Sequence, residues 1–456
     1  MSFRYSIVGL GKLGASMAAA IASRGFPVVG IDIDPRVVER LNAGRAPVPE
    51  TGLDELVAAN RQRLRATTSH REAILDSDIT FAVVPTPSNE SGAFSLQYAA
   101  WAFGEIGAAL AEKNSYHLVV LTSTVLPGAT RHGLLPILER RSGKQCGRDF
   151  GLCYNPEFIA LGSVVRDFLN PDFTLVGEFE DQSGCMLEAA YAGIVLNRAP
   201  CRRMSLENAE LAKIALNAYV TTKITFANML ADLCERIPGG DVDVVSGALG
   251  LDARIGRKYL TGGLGYGGPC FPRDNRALAC FARALGTDAP LPETTDRANR
   301  SLAETIDERL GLQVDPGTTV AILGLAYKPL SHVVEHSQGV ALAKKLSGRG
   351  ARVVAHDPLA GDAAAHELKD HAVVLPSLQD CLDQASIVII TTPDSVYAAL
   401  DAKSFCNGTR TVTVVDCWRL LAGKLTGQRG INYVPVGRNR APEVATARLA
   451  AMWPLV

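Results

Sequence analysis

Residues 5–34 read YSIVGLGKLGASMAAAIASRGFPVVGIDID, and they decide the fold. A short apolar run meets Gly9, an alanine-rich helical pattern follows Gly14 and stops near Gly25, and a second apolar run ends in Asp32. Strand, glycine turn, helix and strand make a βαβ unit. Gly9, Gly11 and Gly14 stand as GxGxxG, which permits a tight turn and lets a pyrophosphate meet the N-terminus of the helix. Asp32 falls eighteen residues after Gly14, where an acid can bind a ribose 2′-hydroxyl and would repel a 2′-phosphate. NAD is therefore expected over NADP. GxGxxG alone also fits a turn without ligand; strand, helix and acid in register favour the dinucleotide site.

Outward from this unit, DITFAVVPTP (78–87) and YHLVVLTSTV (116–125) add strand patterns between helical ones, as in a parallel doubly wound sheet. A weaker copy of the opening lies at 319–358: TVAILGLAYKP, then SQGVALAKKLSGRG, then ARVVAHDP, followed by SIVIITTPD (386–394) and TVTVVDC (411–417). Between the copies, residues 204–237 hold no glycine or proline and consist mostly of helix formers. The expected architecture is two Rossmann-like doubly wound α/β domains joined by a long central helix and a small helical domain. Its divisions are 1–203, 204–310 and 311–456, and the long helix offers a surface to a second subunit.

At 456 residues with 47% hydrophobic and 20% charged, the chain can bury several cores. A net charge of −1 gives no electrostatic reason to expect nucleic acid or an anionic membrane. No apolar run is long enough to span a bilayer and MSFRYSIVGLG lacks a signal-peptide n-region, so a cytoplasmic location is expected. Ten cysteines are spread without any CxxC pair, which argues against a zinc ribbon or a disulfide framework and for thiols that mostly fill cores.

Three groups could do chemistry. Lys213 and Asn217 are four apart and share a helix face, so ammonium and amide can hold one substrate oxygen, or simply form a solvated face. GGLGYGGPCFPRDN (262–275) sets Cys270 after glycines and Pro269, ahead of a helix with Pro272 in its first turn. Its glycines let backbone approach backbone or ligand closely. The helix dipole and Arg273 would favour a thiolate at Cys270, with Asp274 close by to organise water or a proton; a buried structural cysteine is the plain alternative. Last, SHVVEHS places His332, Glu335 and His336 in the spacing of inverted zinc peptidases, but no third ligand is evident and a loop is the better account.

VGLGKLG, VPTP (84–87), STVLPGAT (123–130), NPEFIALGSVVRDFLNPD (155–172), AELAKIALNAY (209–219), DARIGRKYLTGGLGYGGPCFPRDN (252–275) and GLAYKP (324–329) follow in this order. Together they resemble the UDP-glucose/GDP-mannose dehydrogenase family along nearly the whole chain. GGPCFPRD resembles the glucose-type members more than the N-acetylmannosamine-type ones. The resemblance implies oxidation of a sugar C6 alcohol to a carboxylate with two NAD⁺, most simply on UDP-glucose, with dTDP-glucose as the close variant. It makes Cys270 the nucleophile that traps the aldehyde as a thiohemiacetal, from which a thioester forms and is hydrolysed. Lys213 and Asn217 then steady the oxyanion, Asp274 and Thr124 position water and a proton relay, and Glu157 is the acid/base.

The same resemblance assigns the cofactor to Gly9, Gly11, Lys12, Leu13, Gly14, Asp32, Thr86, Thr124 and Arg273. It assigns the substrate to Glu157, Phe158, Lys213, Asn217, Tyr259, Leu260, Gly265 and Lys328, with the glycines of the cysteine loop admitting the sugar. Arg254 would reach the active site of a neighbouring subunit, making a homodimer the smallest unit. The chain departs from the pattern in three places: Leu161 stands where a second acid is usual, Arg273 replaces a lysine, and Ser331, His332, Val333 and Glu335 replace a Thr-Asp-Asp run and an arginine. Rival readings are a two-electron hydroxyacid dehydrogenase and a non-catalytic NAD-binding protein.

Overall fold

The computed structural model describes residues 3–309, 311–405 and 411–453. The chain divides into two compact units, Met1–Leu216 and Asn217–Val456. The first unit builds, among the described residues, an eight-stranded sheet in the order β3-β2-β1-β4-β5-β6-β7-β8. The strands are β1 (Tyr5–Val8), β2 (Val28–Ile31), β3 (Leu64–Thr67), β4 (Ile79–Ala82), β5 (Leu118–Leu121), β6 (Gly151–Tyr154), β7 (Thr174–Glu178) and β8 (Cys201–Ser205). The inner strands β1, β2, β4, β5 and β6 are buried on both faces, with core clusters around Ile7 and Phe81 on one side and around Val8 and Leu121 on the other. One pair departs from the all-parallel expectation: β6 and β7 run antiparallel.

The second unit holds, among the described residues, a parallel six-stranded sheet, β11-β10-β9-β12-β13-β14. These are β9 (Thr319–Leu323), β10 (Arg352–His356), β11 (Val373–Val374), β12 (Ile387–Ile390), β13 (Val412–Asp416) and β14 (Ile431–Pro435). The internal copy extends to single atoms. Gly9 and Gly324 both turn with positive φ, +92° and +109°. A Cβ on Gly14 would strike the Gly9 carbonyl, and one on Gly339 the Gly324 carbonyl. Asp32 accepts from the Leu10 amide at 2.9 Å, and Asp357 from the Leu325 amide at 2.7 Å. The copies differ between their glycines, where the second inserts a longer segment holding Tyr327, Lys328 and His336.

The helix Leu206–Cys234 runs unbroken for 29 residues, as its composition predicts, and supplies Lys213 to the first unit and Asn217 to the second. No helix among the described residues is long and apolar enough to cross a membrane. Cys146, Cys153, Cys234, Cys381 and Cys417 are buried, Cys201 and Cys280 partly so, and Cys185 and Cys270 are exposed; Cys406 lies outside the described residues.

Candidate active site

In doubly wound sheets ligands bind beyond the carboxyl ends of the strands, where the strand order reverses. In the first unit that point lies between β1 and β4. Gly9 is there because a Cβ would strike the Val83 carbonyl, and Gly14 because helix and turn touch. Gly11, by contrast, caps the helix Lys12–Ser23 and has open space where its side chain would be. That leaves the helix N-terminus approachable, the property a dinucleotide pyrophosphate needs. Lys12 and Leu13 follow, both half-buried. Asp32 uses one carboxylate oxygen for Leu10 and the other for the Asp34 amide at 3.0 Å. A carboxylate has about four lone-pair sites, so acceptor capacity for a ribose remains. The Thr86 hydroxyl donates to the Thr124 carbonyl at 2.7 Å, tying together the loops after β4 and β5.

The loop after β6 carries Glu157 and Phe158. Lys213 Nζ donates to the Glu157 carbonyl at 2.5 Å and lies 4.6 Å from the centre of the Phe158 ring, which seats the cation. The Glu157 carboxyl meets the Tyr191 hydroxyl at 2.7 Å. Its surroundings desolvate it enough to push its pKa up to about 7, against the pull of Tyr191 and Lys213 toward ionisation. Leu161 occupies a turn, and the carboxylate serving that turn comes from Glu50, which accepts from the Gly162 and Val164 amides at 3.0 and 3.2 Å.

In the second unit Cys270 is the N-cap of the helix Phe271–Ala284, with Pro272 in the first turn as expected. One turn on, Asp274 is 1% exposed and accepts from Asn217 Nδ2 at 2.6 Å; Arg273 Nε reaches its other oxygen at 3.2 Å. The glycines of this loop also answer a packing demand. A Cβ on Gly267 would strike the His336 carbonyl, one on Gly268 would lie 2.6 Å from the Tyr327 ring, and one on Gly265 would strike Asn299. The Gly268 amide donates to the Glu335 carbonyl at 2.8 Å. They let the cysteine loop cross the segment after β9.

A cavity of about 250 Å³ lies at the carboxyl ends of β9, β12 and β13, again at the reversal of strand order. Tyr259, Gly265 and Lys328 line it, as do Tyr327, Thr392 and Trp418. Leu260 is buried and is not part of the lining, and Arg254 is exposed and paired with Asp252 at 2.6 Å. Sequence reasoning passed over Trp418, whose indole donates to the Thr391 carbonyl at 2.9 Å. Its place directly after the expected strand TVTVVDC was the available signal. It also passed over Arg419, which is buried and held at φ +59°. Arg419 bonds Asp243 at 2.8 and 3.0 Å and the Thr261 and Gly262 carbonyls at 3.0 Å each, fixing the cavity wall.

His332, Glu335 and His336 lie in a loop rather than on a helix, and His332 Nδ1 meets the Leu359 carbonyl at 2.8 Å. Among the described residues no group of three or more His, Cys, Asp or Glu is placed to hold a metal.

Comparison with known proteins matches three consecutive parts of one family: the UDP-glucose/GDP-mannose dehydrogenase NAD binding domain over residues 3–195, its central domain over 207–301 and its UDP binding domain over 321–423. The chain belongs to the UDP-glucose/GDP-mannose dehydrogenase family. It is 37% identical to the UDP-glucose 6-dehydrogenase AglM of Haloferax volcanii, covering 94% of this chain and 98% of that one. It is 34% identical to the GDP-mannose 6-dehydrogenase of Pseudomonas putida, covering 87% and 92%. The structure of a UDP-glucose dehydrogenase from Pyrobaculum islandicum superposes with a TM-score of 0.85 at 36% identity, covering 96% and 98%. The family is one of NAD-dependent nucleotide-sugar 6-dehydrogenases, and this member carries its NAD-binding domain.

Proposed function

We propose that this protein oxidises the C6 alcohol of a nucleotide-diphosphate hexose to the uronic acid through a covalent adduct on Cys270, with UDP-glucose as the first substrate to test. The supporting observation is Cys270 itself: an exposed thiol at a helix N-terminus, flanked by the cavity-lining Gly267 and Phe271, one turn from the Asp274–Asn217 pair. Only the acid product needs such a thiol, because the aldehyde must become tetrahedral before a second hydride can leave. Gly9, Gly11, Gly14 and Asp32 would hold NAD, which would supply the hydride acceptor. Lys213 and Asn217 steady the oxyanion, Asp274 and Thr124 organise water, and Glu157 handles the proton. Lys328, beside Tyr327 in the cavity, would meet the diphosphate.

UDP-glucose comes before GDP-mannose as a test because AglM and the Pyrobaculum enzyme are 37% and 36% identical to this chain, against 34% for the Pseudomonas putida GDP-mannose 6-dehydrogenase. The three-part division at 203 and 310 belongs to the same reading. A homodimer is part of the same reading: Tyr219, Phe226 and Leu233, seven residues apart on the long helix, are all exposed, a seam suited to a second copy. The test is NADH released per sugar across UDP-, dTDP- and GDP-linked hexoses. Two NADH per sugar are expected with one of them, and one NADH with free aldehyde would refute the thioester route.

A further inference from the structure

The contacts around Glu157 hold one proton too few. Tyr191 Oη lies 2.5 Å from Asn155 Oδ1 and 2.7 Å from Glu157 Oε1. Each oxygen–oxygen contact this short requires a hydrogen between its partners. Asn155 cannot supply one, because its Nδ2 donates to the Leu175 carbonyl at 2.8 Å. Flipping that amide would set two oxygens against each other at Leu175. Tyr191 has a single hydroxyl proton, and burial against the Phe81 and Phe168 rings keeps that proton in place. Asn155 and Tyr191 are 1% and 3% exposed, so solvent offers neither a donor. The second hydrogen must come from the glutamate.

We infer that Asn155, by engaging the single Tyr191 proton, keeps Glu157 in its neutral carboxylic form, so that it enters turnover as a proton donor rather than as a ready base. Tyr191 donates to Asn155, and Glu157 donates to Tyr191. When Glu157 gives its proton to solvent or to a substrate oxygen, Tyr191 turns its own proton to the new carboxylate, and Asn155 Oδ1 loses its donor. Return of the proton restores both bonds. The charged group acting on this carboxyl is Lys213 from the long helix, whose ammonium is bonded to the Glu157 backbone; Cys201 on β8 acts only on Tyr191. Tyr191 and Asn155 are thus positioning residues. Their use in turnover rests on the acid/base role proposed for Glu157, whereas the protonation state is measured without substrate.

The experiment is a pH titration of the full-length protein by infrared difference spectroscopy, following the carboxylic C=O stretch and assigning it with E157Q. A wild-type band present at pH 6 is expected, lost on raising the pH with a midpoint near 7. N155L frees the Tyr191 proton for the carboxylate and should lower the midpoint by about one unit; Y191F leaves the carboxylate without its donor and should raise it by about one unit. Opposite shifts are not expected of general loosening, and either folded variant alone tests the sign. Absence of the wild-type band, or shifts of the same sign in both variants, would overturn the inference. A normal titration with no turnover on any nucleotide sugar would instead refute the proposed function and leave this proton in place.

Discussion

Replacing Arg419 with methionine should open the cavity wall without touching any residue assigned to the chemistry. The guanidinium is buried and bonds Asp243 and the carbonyls of Thr261, Gly262, Val436 and Cys417. Methionine fills much of the volume but leaves four carbonyls and part of a carboxylate without donors. Removing one partner of a buried ionic network costs about 3–5 kcal/mol, more than the sum of net bond energies scaled for exposure would suggest, because the orphaned groups stay desolvated. Relief of the left-handed backbone cannot offset this, since methionine is as strained there as arginine. At about 1.4 kcal/mol per tenfold, opening of the 259–268 segment should become roughly 100- to several-thousand-fold more frequent. Amide hydrogen exchange read on peptides covering 259–268, with peptides from β1 and β4 as internal controls, measures it. The KM for the nucleotide sugar should rise while NAD affinity holds. Exchange in 259–268 within about tenfold of wild type would refute the clamp, because a loss under about 1.4 kcal/mol means that water replaces the guanidinium freely.

Cys270→Ser should abolish acid formation while NAD binding, followed by fluorescence titration, stays as in wild type; steady turnover would exclude the covalent route. Gly268→Ala combines a φ of +81° with a Cβ 2.6 Å from the Tyr327 ring and should cost about 2 kcal/mol or more in a thermal or denaturant melt. Phe226→Glu with Leu233→Glu should leave a monomer in sedimentation if the helix seam holds the dimer. Glu157 also predicts a stability slope. Its folded pKa is raised from 4.5 to about 7, so between these values the folded chain binds the extra proton, stability falls as pH rises, and the loss is complete above the folded pKa. The total is on the order of 3 kcal/mol, and E157Q should remove it from the pH profile of denaturant unfolding.

The βαβ opening was legible because three demands coincide in few residues: Gly9 and Gly14 are forced by backbone crowding, and Asp32 closes the turn it follows. The second unit was legible as a copy because the same demands recur at Gly324, Gly339 and Asp357. Cys270 at a helix start could be read from Pro272 and the glycines before it. The purpose of those glycines could not, since the segment they cross lies about 60 residues downstream in the chain. Nor could Tyr191, Trp418 or Arg419 be found by motif. Each acts through tertiary contacts that local spacing does not encode, and a tyrosine on an apolar helix face reads as core until its hydroxyl finds a carboxylate.

The crossing of the cysteine loop with the segment after β9 has a consequence for engineering. Gly267 and Gly268 are shaped by the backbone of His336 and the ring of Tyr327, and the bond to Gly268 comes from the main chain of Glu335. The side chain at 335 can therefore vary without disturbing the nucleophile, while 265–268 and 327–336 must be exchanged as a matched pair. A chimera that takes one segment from a relative and keeps the other should misfold locally, and one that takes both should transplant the sugar preference whole.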